Sequence, residues 1–418
     1  MFFLYQFLLF IIILLSPIII IIRLLKKKED KSRFIEKFCF FTKKRKKGKL
    51  VWIHAASVGE LQSIIPIIYE IEKNKKLKTI LVTTSTLSSS KVFKNYKFKK
   101  VIHQFFPIDF FYYTAKFLEY WNPSMVIFVD SEVWPSMFKK LGEKSVPLLL
   151  VNARITPKSF RRWYLFNKFS KNIFHHLHSA YPQNFESEKF LKKLEVKKVI
   201  NCGNLKFSQT LSPDLINLSK SFLKSIKKRL VFCASSTHPG EEKIIMKAHL
   251  SLKEKYKNLL TIIIPRHIER LENILIDLDK LKMNYVIRTS NKKIDNDTEI
   301  YLVDTYGETK KFLNISKVAF IGGSVIAHGG QNPIEAARFN LKILHGPNTD
   351  NFKDIYTFFD KLKITYKFIN LKQLIQISGK LLSTNKKKKI DFKKMGRAIL
   401  KKNLKEINKI LYNELKKT

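Results

Sequence analysis

Residues 318–338, VAFIGGSVIAHGGQNPIEAAR, combine the residue types best able to seat an anionic ligand. Val318–Ile321 is a short apolar run with the character of a strand buried inside a parallel sheet. Gly322 and Gly323 end it, and Ser324, a second pair at Gly329 and Gly330, and Gln331-Asn332-Pro333-Ile334-Glu335 follow. Glycines let a backbone approach a ligand closely, and N–H groups at a helix start favour an anion such as phosphate. Glu335, one turn into the expected helix, could accept hydrogen bonds from two adjacent ribose hydroxyls. Glycine pairs alone are common in turns. Asn332-Pro333 and Glu335 behind a strand and two such pairs make a nucleotide or nucleotide-sugar site the better reading.

The elements that must position these residues repeat along the chain. Leu50–His54, Thr79–Thr83, Met125–Val129 and Pro147–Val151 read as one series of buried strands. Leu230–Cys233, Leu260–Ile264, Ile300–Val303, Val318–Ile321 and Leu341–Leu344 read as a second. A helix is expected over Glu60–Glu72, with Leu61, Ile64, Ile65, Ile68 and Ile71 on one face. Strands alternating with helices argue two doubly wound α/β domains, whose ligands bind at the carboxyl ends of the strands. The polar residues sit there. In the first half they are Ser57-Val58-Gly59-Glu60, Thr83-Thr84-Ser85-Thr86, Asp130-Ser131-Glu132 and Asn152-Ala153-Arg154. In the second half they include Ser235-Ser236-Thr237-His238, Pro265-Arg266-His267 and Thr305-Tyr306-Gly307-Glu308. Two sites facing each other across a cleft is the expected arrangement.

A chain of 418 residues suggests two domains, and 45% hydrophobic residues is ample for burial. The formal net charge of +45 is extreme and draws phosphates, whether of lipid, substrate or nucleic acid. Abundant Lys, Ile, Asn and Phe, as an AT-rich genome would encode, account for part of it. Cys39, Cys202 and Cys233 are odd in number and widely spaced, which gives neither a disulfide framework nor a zinc pattern.

Phe2–Ile22 is apolar except for Tyr5, Gln6, Ser16 and Pro17, and Arg23, Lys26, Lys27 and Lys28 follow at once. That order is opposite to a cleaved leader. It reads as an uncleaved anchor, with everything after residue 23 in the cytoplasm by the positive-inside rule. Gln6 and Pro17 leave open a helix that dips into a single leaflet. The run Lys43-Lys44-Arg45-Lys46-Lys47 lies close enough behind the anchor to meet anionic headgroups. Expected boundaries are an anchor over 1–25, a first domain over 26–210, a linker with Pro213 over 211–226, and a second domain over 227–418.

The motifs then resemble a family. HAASVGE (54–60), SEVWP (131–135), NARIT (152–156), GNLKF (203–207), SSTHPGEE (235–242), IPRH (264–267), DTYGE (304–308), GGSVIAHGGQNPIEAA (322–337) and HGPNTDNF (345–352) resemble the Kdo (3-deoxy-D-manno-octulosonic acid) transferases of lipopolysaccharide synthesis, in family order. The resemblance implies a GT-B glycosyltransferase fold, two Rossmann-like domains behind a membrane-anchoring N-terminus. It implies transfer of Kdo from CMP-Kdo to the glucosamine disaccharide of a lipid A precursor (lipid IVA), with inversion. No cofactor and no metal are implied. The enzyme would work at the cytoplasmic face of a bacterial inner membrane, among anionic lipids.

Residue by residue, Glu60 matches the family's proton acceptor, as a single displacement with inversion requires. Lys206 and Asp130 match positions that stabilise the transition state, and Asp130 replaces the family's usual Glu. Glu132 could compensate or pair with Arg154. Pro265, Arg266, Tyr306, Gly307, Glu308, Asn332, Pro333, Ile334 and Glu335 match the CMP contacts, with Tyr306 in place of a commoner Met. His175, His176 and His178 are poorly spaced for one helix face and lack nearby acids, so a metal site is not expected. The run Lys386–Lys389 reads as solvent-facing. Two other classes compete. A nucleotide-sugar epimerase of similar fold is usually soluble, so the anchor counts against it. A membrane-tethered nucleic-acid-binding protein would need a recognition module, and none is visible; no nucleic-acid partner is expected.

Overall fold

A computed structural model describes residues 1–209, 216–290, 292–384 and 390–417. The chain divides into two compact units, Met1–Thr210 with Lys393–Thr418, and Leu211–Phe392.

The first unit is built on a six-stranded sheet of order β3-β2-β1-β4-β5-β6. The strands are β1 Leu50–His54, β2 Thr79–Thr84, β3 Val101–Phe105, β4 Met125–Val129, β5 Leu148–Ala153 and β6 Ser179–Pro182. All their pairings are parallel, and β1 sits between β2 and β4. The second unit carries a seven-stranded parallel sheet of order β13-β12-β11-β7-β8-β10-β9. Its strands are β7 Leu230–Thr237, β8 Leu259–Pro265, β9 Tyr285–Ile287, β10 Ile300–Leu302, β11 Val318–Ile321, β12 Lys342–His345 and β13 Thr365–Lys367.

Every strand read from the sequence is present, three with the expected ends and the rest with ends shifted by at most four residues. The four that were missed, β3, β6, β9 and β13, are the four sheet edges. These strands are short or interrupted by polar residues, so none carries a long apolar run to betray it. YVI and TYK are three residues each, and SAYP ends in proline, which suits an edge position.

In each sheet the chain builds one flank, then returns to the middle to build the other. The turning points lie between β1 and β4 and between β7 and β11, and crevices open there at the strands' carboxyl ends. One face of the first sheet packs Trp52 and Phe128 against Phe117, Trp121 and Phe138. The other packs Val51, Ile53 and Ile127 against the helix Val58–Glu72, which buries Leu61, Ile64, Ile68 and Ile71.

The C-terminal helix Phe392–Lys416 corrects the expected boundary at residue 418. From Lys393 onward it belongs to the first unit, and its Ile407, Ile410 and Leu411 complete that second face. The expected linker is also more ordered than its composition suggested, because Lys220–Ser225 is a helix capped by the Ser219 side chain. Residues 211–215 with Pro213, and the whole basic run at 386–389, lie outside the described residues.

Because Ile407 is fully buried, Ile407→Ala should lower the unfolding free energy of the full chain by about 2–5 kcal/mol. A urea titration measures this, and an unchanged midpoint would remove the helix from the first core.

Candidate functional site

The crevice of the first unit gathers four ionisable side chains. Beyond β1 the chain turns at Ser57, the N-cap of the helix Val58–Glu72, and Glu60 closes a capping box with it. One Glu60 oxygen accepts from the Ala56 N–H at 2.8 Å and the Ser57 N–H at 3.3 Å, and the other accepts from Ser57 Oγ at 2.8 Å. Such donors hold an ordinary cap carboxylate well below neutrality. Glu60 behaves otherwise. Burial, then the charges of Glu132 and Asp130, raise its pKa to about 7 against the pull of Ser57. A carboxyl poised near neutrality can take a proton at physiological pH, which a mere helix cap does not do.

Asp130 ends β4 in the left-handed backbone region, at φ +64°. Asp adopts that region more readily than Glu, which gives a local reason for the shorter acid at this position. Its buried carboxylate lies 3.6 Å from Lys206 Nζ. Burial raises its pKa, opposed by Lys206 and Arg154. Lys206 is held by its turn: Asn204 Oδ1 accepts from the Lys206 N–H and Asn152 Oδ1 from the Leu205 N–H, both at 2.9 Å. Behind the turn runs the C-terminal helix, with Gly396 so close that a Cβ there would meet the Phe207 carbonyl oxygen at 2.2 Å.

Glu132 is held by a hydrogen-bond chain. Trp52 Nε1–H, which can only donate, reaches Thr83 Oγ1 at 2.9 Å. Thr83 Oγ1 also meets His54 Nδ1 at 2.9 Å. His54 Nε2 lies 3.3 Å from Glu132 Oε2, where Trp134 Nε1–H donates at 2.8 Å. A carboxylate only accepts, so a neutral His54 carries its proton on Nε2 and accepts from Thr83 at Nδ1. Burial holds His54 below its usual pKa, so it acts as a neutral donor. Burial pushes Glu132 upward, but its bonds to His54 and Trp134 prevail and keep it ionised. Three acids of one crevice are thus driven apart in acidity, the pattern that separates a base from its electrostatic neighbours.

The second unit ties four post-strand segments together. Tyr306, 62% exposed, reaches from beyond β10 to Glu269 beyond β8 at 2.9 Å. Glu335 lies 3.3 Å from Lys310, linking the short helix Ile334–Arg338 to the segment after Glu308. Asn332 Oδ1 accepts from the Ile334 N–H at 3.1 Å, beside Pro333. Gly307 has φ +85°. Pro265 ends β8, and the Arg266 N–H bonds the Thr237 carbonyl at 2.9 Å. The Glu308 side chain is engaged internally: hydrogen bonding to Arg288, with help from Thr305 and Lys311, lowers its pKa to about 2 against burial.

The glycine stretch differs from its expected use. Gly322 is required by a close approach, since a Cβ there would lie 2.3 Å from the Ser236 carbonyl oxygen. The N–H groups expected to cradle a phosphate instead meet a carboxylate of the chain itself. Glu241 accepts from Gly323 at 2.7 Å, Ser324 at 3.0 Å and Val325 at 2.9 Å, and from the His238 N–H at 2.9 Å. The part of the loop toward His238, Gln331 and His328 lies beside Arg266 and Arg270, whose charges act on His238. Among the described residues no group of three or more His, Cys, Asp or Glu is arranged to hold a metal ion.

Of the sequence-derived residues, Glu60, Asp130 and Lys206 come together in the first unit. The CMP-matching residues cluster at the carboxyl end of the second sheet. Sequence reasoning assigned no role to His54, Thr83, Trp134, Asn152 or Glu241. His54, Thr83 and Asn152 close or follow strands, so position was a usable clue; Glu241 entered only as part of the motif SSTHPGEE.

Glu60→Gln should report the raised acidity constant. A carboxyl whose folded pKa exceeds its unfolded value contributes stability below the unfolded pKa, and loses it as pH rises through the folded one. The melting temperature of the variant should therefore gain on the wild type between about pH 5 and pH 8. A gap independent of pH would return Glu60 to an ordinary cap.

The family model described as 3-deoxy-D-manno-octulosonic-acid transferase (kdotransferase) matches residues 32–209. The 3-deoxy-D-manno-octulosonic acid transferase of Rickettsia conorii is 36% identical over 308 residues, which is 73% of this chain and 66% of that protein, just under two thirds of its length. That of Rickettsia bellii is 32% identical over 391 residues, 93% of this chain and 92% of that protein. The solved structure of a UDP-GlcNAc 2-epimerase from Neisseria meningitidis bound to UDP-GlcNAc covers 87% of this chain and 100% of its own, with a TM-score of 0.59 at 13% identity. That last likeness concerns the fold, and agrees with the GT-B-like pair of Rossmann-type sheets. With the Rickettsia bellii relative aligned across nearly its whole length, the chain belongs to the 3-deoxy-D-manno-octulosonic acid transferase family.

Proposed function

We propose that the chain is an inverting, metal-independent glycosyltransferase that moves Kdo from CMP-Kdo to the glucosamine disaccharide of a lipid A precursor, in lipopolysaccharide core synthesis. Family membership supports the reaction class. The observation that carries the mechanism is Glu60, half-buried and poised near neutrality beside Asp130 and Glu132. A hydroxyl of the acceptor sugar gives its proton to Glu60 as its oxygen bonds the anomeric carbon of Kdo. The bond from that carbon to the CMP phosphate oxygen breaks, and CMP departs with the electron pair. Negative charge grows on the leaving phosphate, and a held cation such as Lys206 meets that need; Asp130 keeps its ammonium in place. Arg266 suits the CMP phosphate, because a guanidinium can grip two oxygens at once. Glu335 suits the ribose, in exchange for its bond to Lys310. The Tyr306 and Glu308 side chains have partners within the unit, so their segment, with Gly307, would serve CMP through backbone groups.

The apolar N-terminal helix and the basic segments behind it suit an acceptor that carries lipid chains and phosphates. A cytoplasmic-facing site on a bacterial inner membrane follows from this reading, because Arg23, Lys26, Lys27 and Lys28 directly follow the apolar helix.

Purified protein incubated with CMP-Kdo and a tetraacylated lipid A precursor should yield products heavier by one or more Kdo units in mass spectrometry. Glu60→Gln should abolish the gain while CMP affinity stays near wild type; comparable turnover would remove Glu60 from the base role. In a CMP binding titration, Glu335→Ala should weaken affinity by about 1–3 kcal/mol, roughly 5- to 150-fold. Unchanged affinity would reject the ribose contact.

A further inference from the structure

The helix Phe2–Leu25 has 24 residues and a mean hydropathy of 3.0 in its most apolar window. At ~1.5 Å per residue it is long enough for a hydrocarbon core of about 30 Å. Length and composition therefore permit a crossing. A crossing would also place its first turns about 30 Å from the body that follows its last turn.

The contacts of those first turns are incompatible with that separation. Tyr5 Oη donates to Asp109 Oδ2 at 2.8 Å. Gln6 uses both ends of its amide, donating to Ser136 Oγ at 2.6 Å and accepting from the Phe111 N–H at 3.0 Å. The Phe10 and Phe110 rings lie 6.4 Å apart, and Lys139 Nζ stands 4.4 Å from the Phe2 ring. At the other end Arg23 donates to Glu29 at 2.8 Å, and Lys37 of the globular body shares the same carboxylate at 2.7 Å. Both ends of the helix are thus fastened to the first unit.

Shielding along the helix agrees. The more shielded residues are 2, 5, 6, 9, 13, 16, 20, 23 and 24, a three-and-four spacing that marks one face from end to end. Its polar residues follow that face. Tyr5 to Ser16 and Ser16 to Arg23 are spacings of about three and two turns, so the three side chains line up. The opposite face offers Phe3, Phe7, Leu14, Ile18 and Leu25 to the surroundings. Nor is the receiving site an accident of surface polarity. Asp109 is 1% exposed and also accepts from the Ser136 and Met137 N–H groups, both at 2.8 Å, at the start of the helix Pro135–Glu143.

We propose that Phe2–Leu25 lies in the plane of one leaflet, clamped along its Tyr5–Ser16–Arg23 face to the first unit, with its other face in the acyl chains of an anionic bilayer. Polar side chains that would be costly in hydrocarbon are satisfied by protein. Lys26, Lys27 and Lys28, and the run Lys43–Lys47, then stand at headgroup level on the same side. Asp109 joins this clamp to the segment carrying Glu132 and Trp134, so the bilayer and the crevice share one support.

The test uses the full chain in membrane vesicles, with protease-cleavable tags at both ends. An in-plane helix leaves both tags open to protease from one and the same vesicle face. Cleavage of the two tags from opposite faces overturns the proposal. Independently, Gln6→Cys with Ser136→Cys should be joined in the membrane by a short bis-maleimide; the chain's own Cys39, Cys202 and Cys233 are buried. Joining should fail in either single variant. Absence of joining in the pair also overturns the proposal. Neither readout depends on transfer activity, so a different substrate would leave the result standing.

Discussion

Parallel strands cannot be joined by tight turns, because each connection must travel back along the sheet before the next strand begins. In this chain that constraint acts twice, on a six-stranded and a seven-stranded sheet. It sends every strand's carboxyl end to the same side and leaves the crossover helices starting there. Glu60 follows β1, Asp130 and Glu132 follow β4, and Asn152, which supports the Lys206 turn, sits in β5. Glu60, the Asp130–Glu132 pair and Asn152 lie far apart in sequence. The sheet assembles them.

Once assembled, they must be kept different. Three carboxyl groups in one crevice would tend toward similar, raised pKa values if burial acted alone. The chain Trp52–Thr83–His54–Glu132 breaks that symmetry, since a neutral His54 and the Trp134 indole both donate to Glu132. Glu132 is stabilised as an anion, Asp130 is balanced by Lys206, and Glu60 is left holding its proton up to about pH 7. Cap donors aim the Glu60 carboxyl without making it a strong acid. A structural bond and a chemical role coexist in one side chain.

The second unit uses charge differently. Glu241 fills the backbone donors after β11, where a phosphate was the expected occupant. A buried carboxylate with four N–H partners fixes the loop without a ligand. Glu308 shows the same economy of form: its acid group braces Arg288 and Lys311, while its backbone neighbours remain at the rim.

The sequence by itself determined the interior strands, the side of each sheet that carries polar residues, and the family. Those depend on local composition and on motif order, which a one-dimensional reading preserves. Tertiary structure alone decided the edge strands, which are too short or too polar to carry the apolar run that would reveal them. It decided that the last helix serves the first unit, because an amphipathic stripe such as Ile407, Ile410 and Leu411 does not state which core it completes. It also decided the partners of Glu132 and Glu241, since a hydrogen bond between residues 78 or 82 positions apart leaves no mark on either local sequence. Acidity followed the same division: residue type supplied a carboxyl at position 60, and burial among other charges set where it titrates.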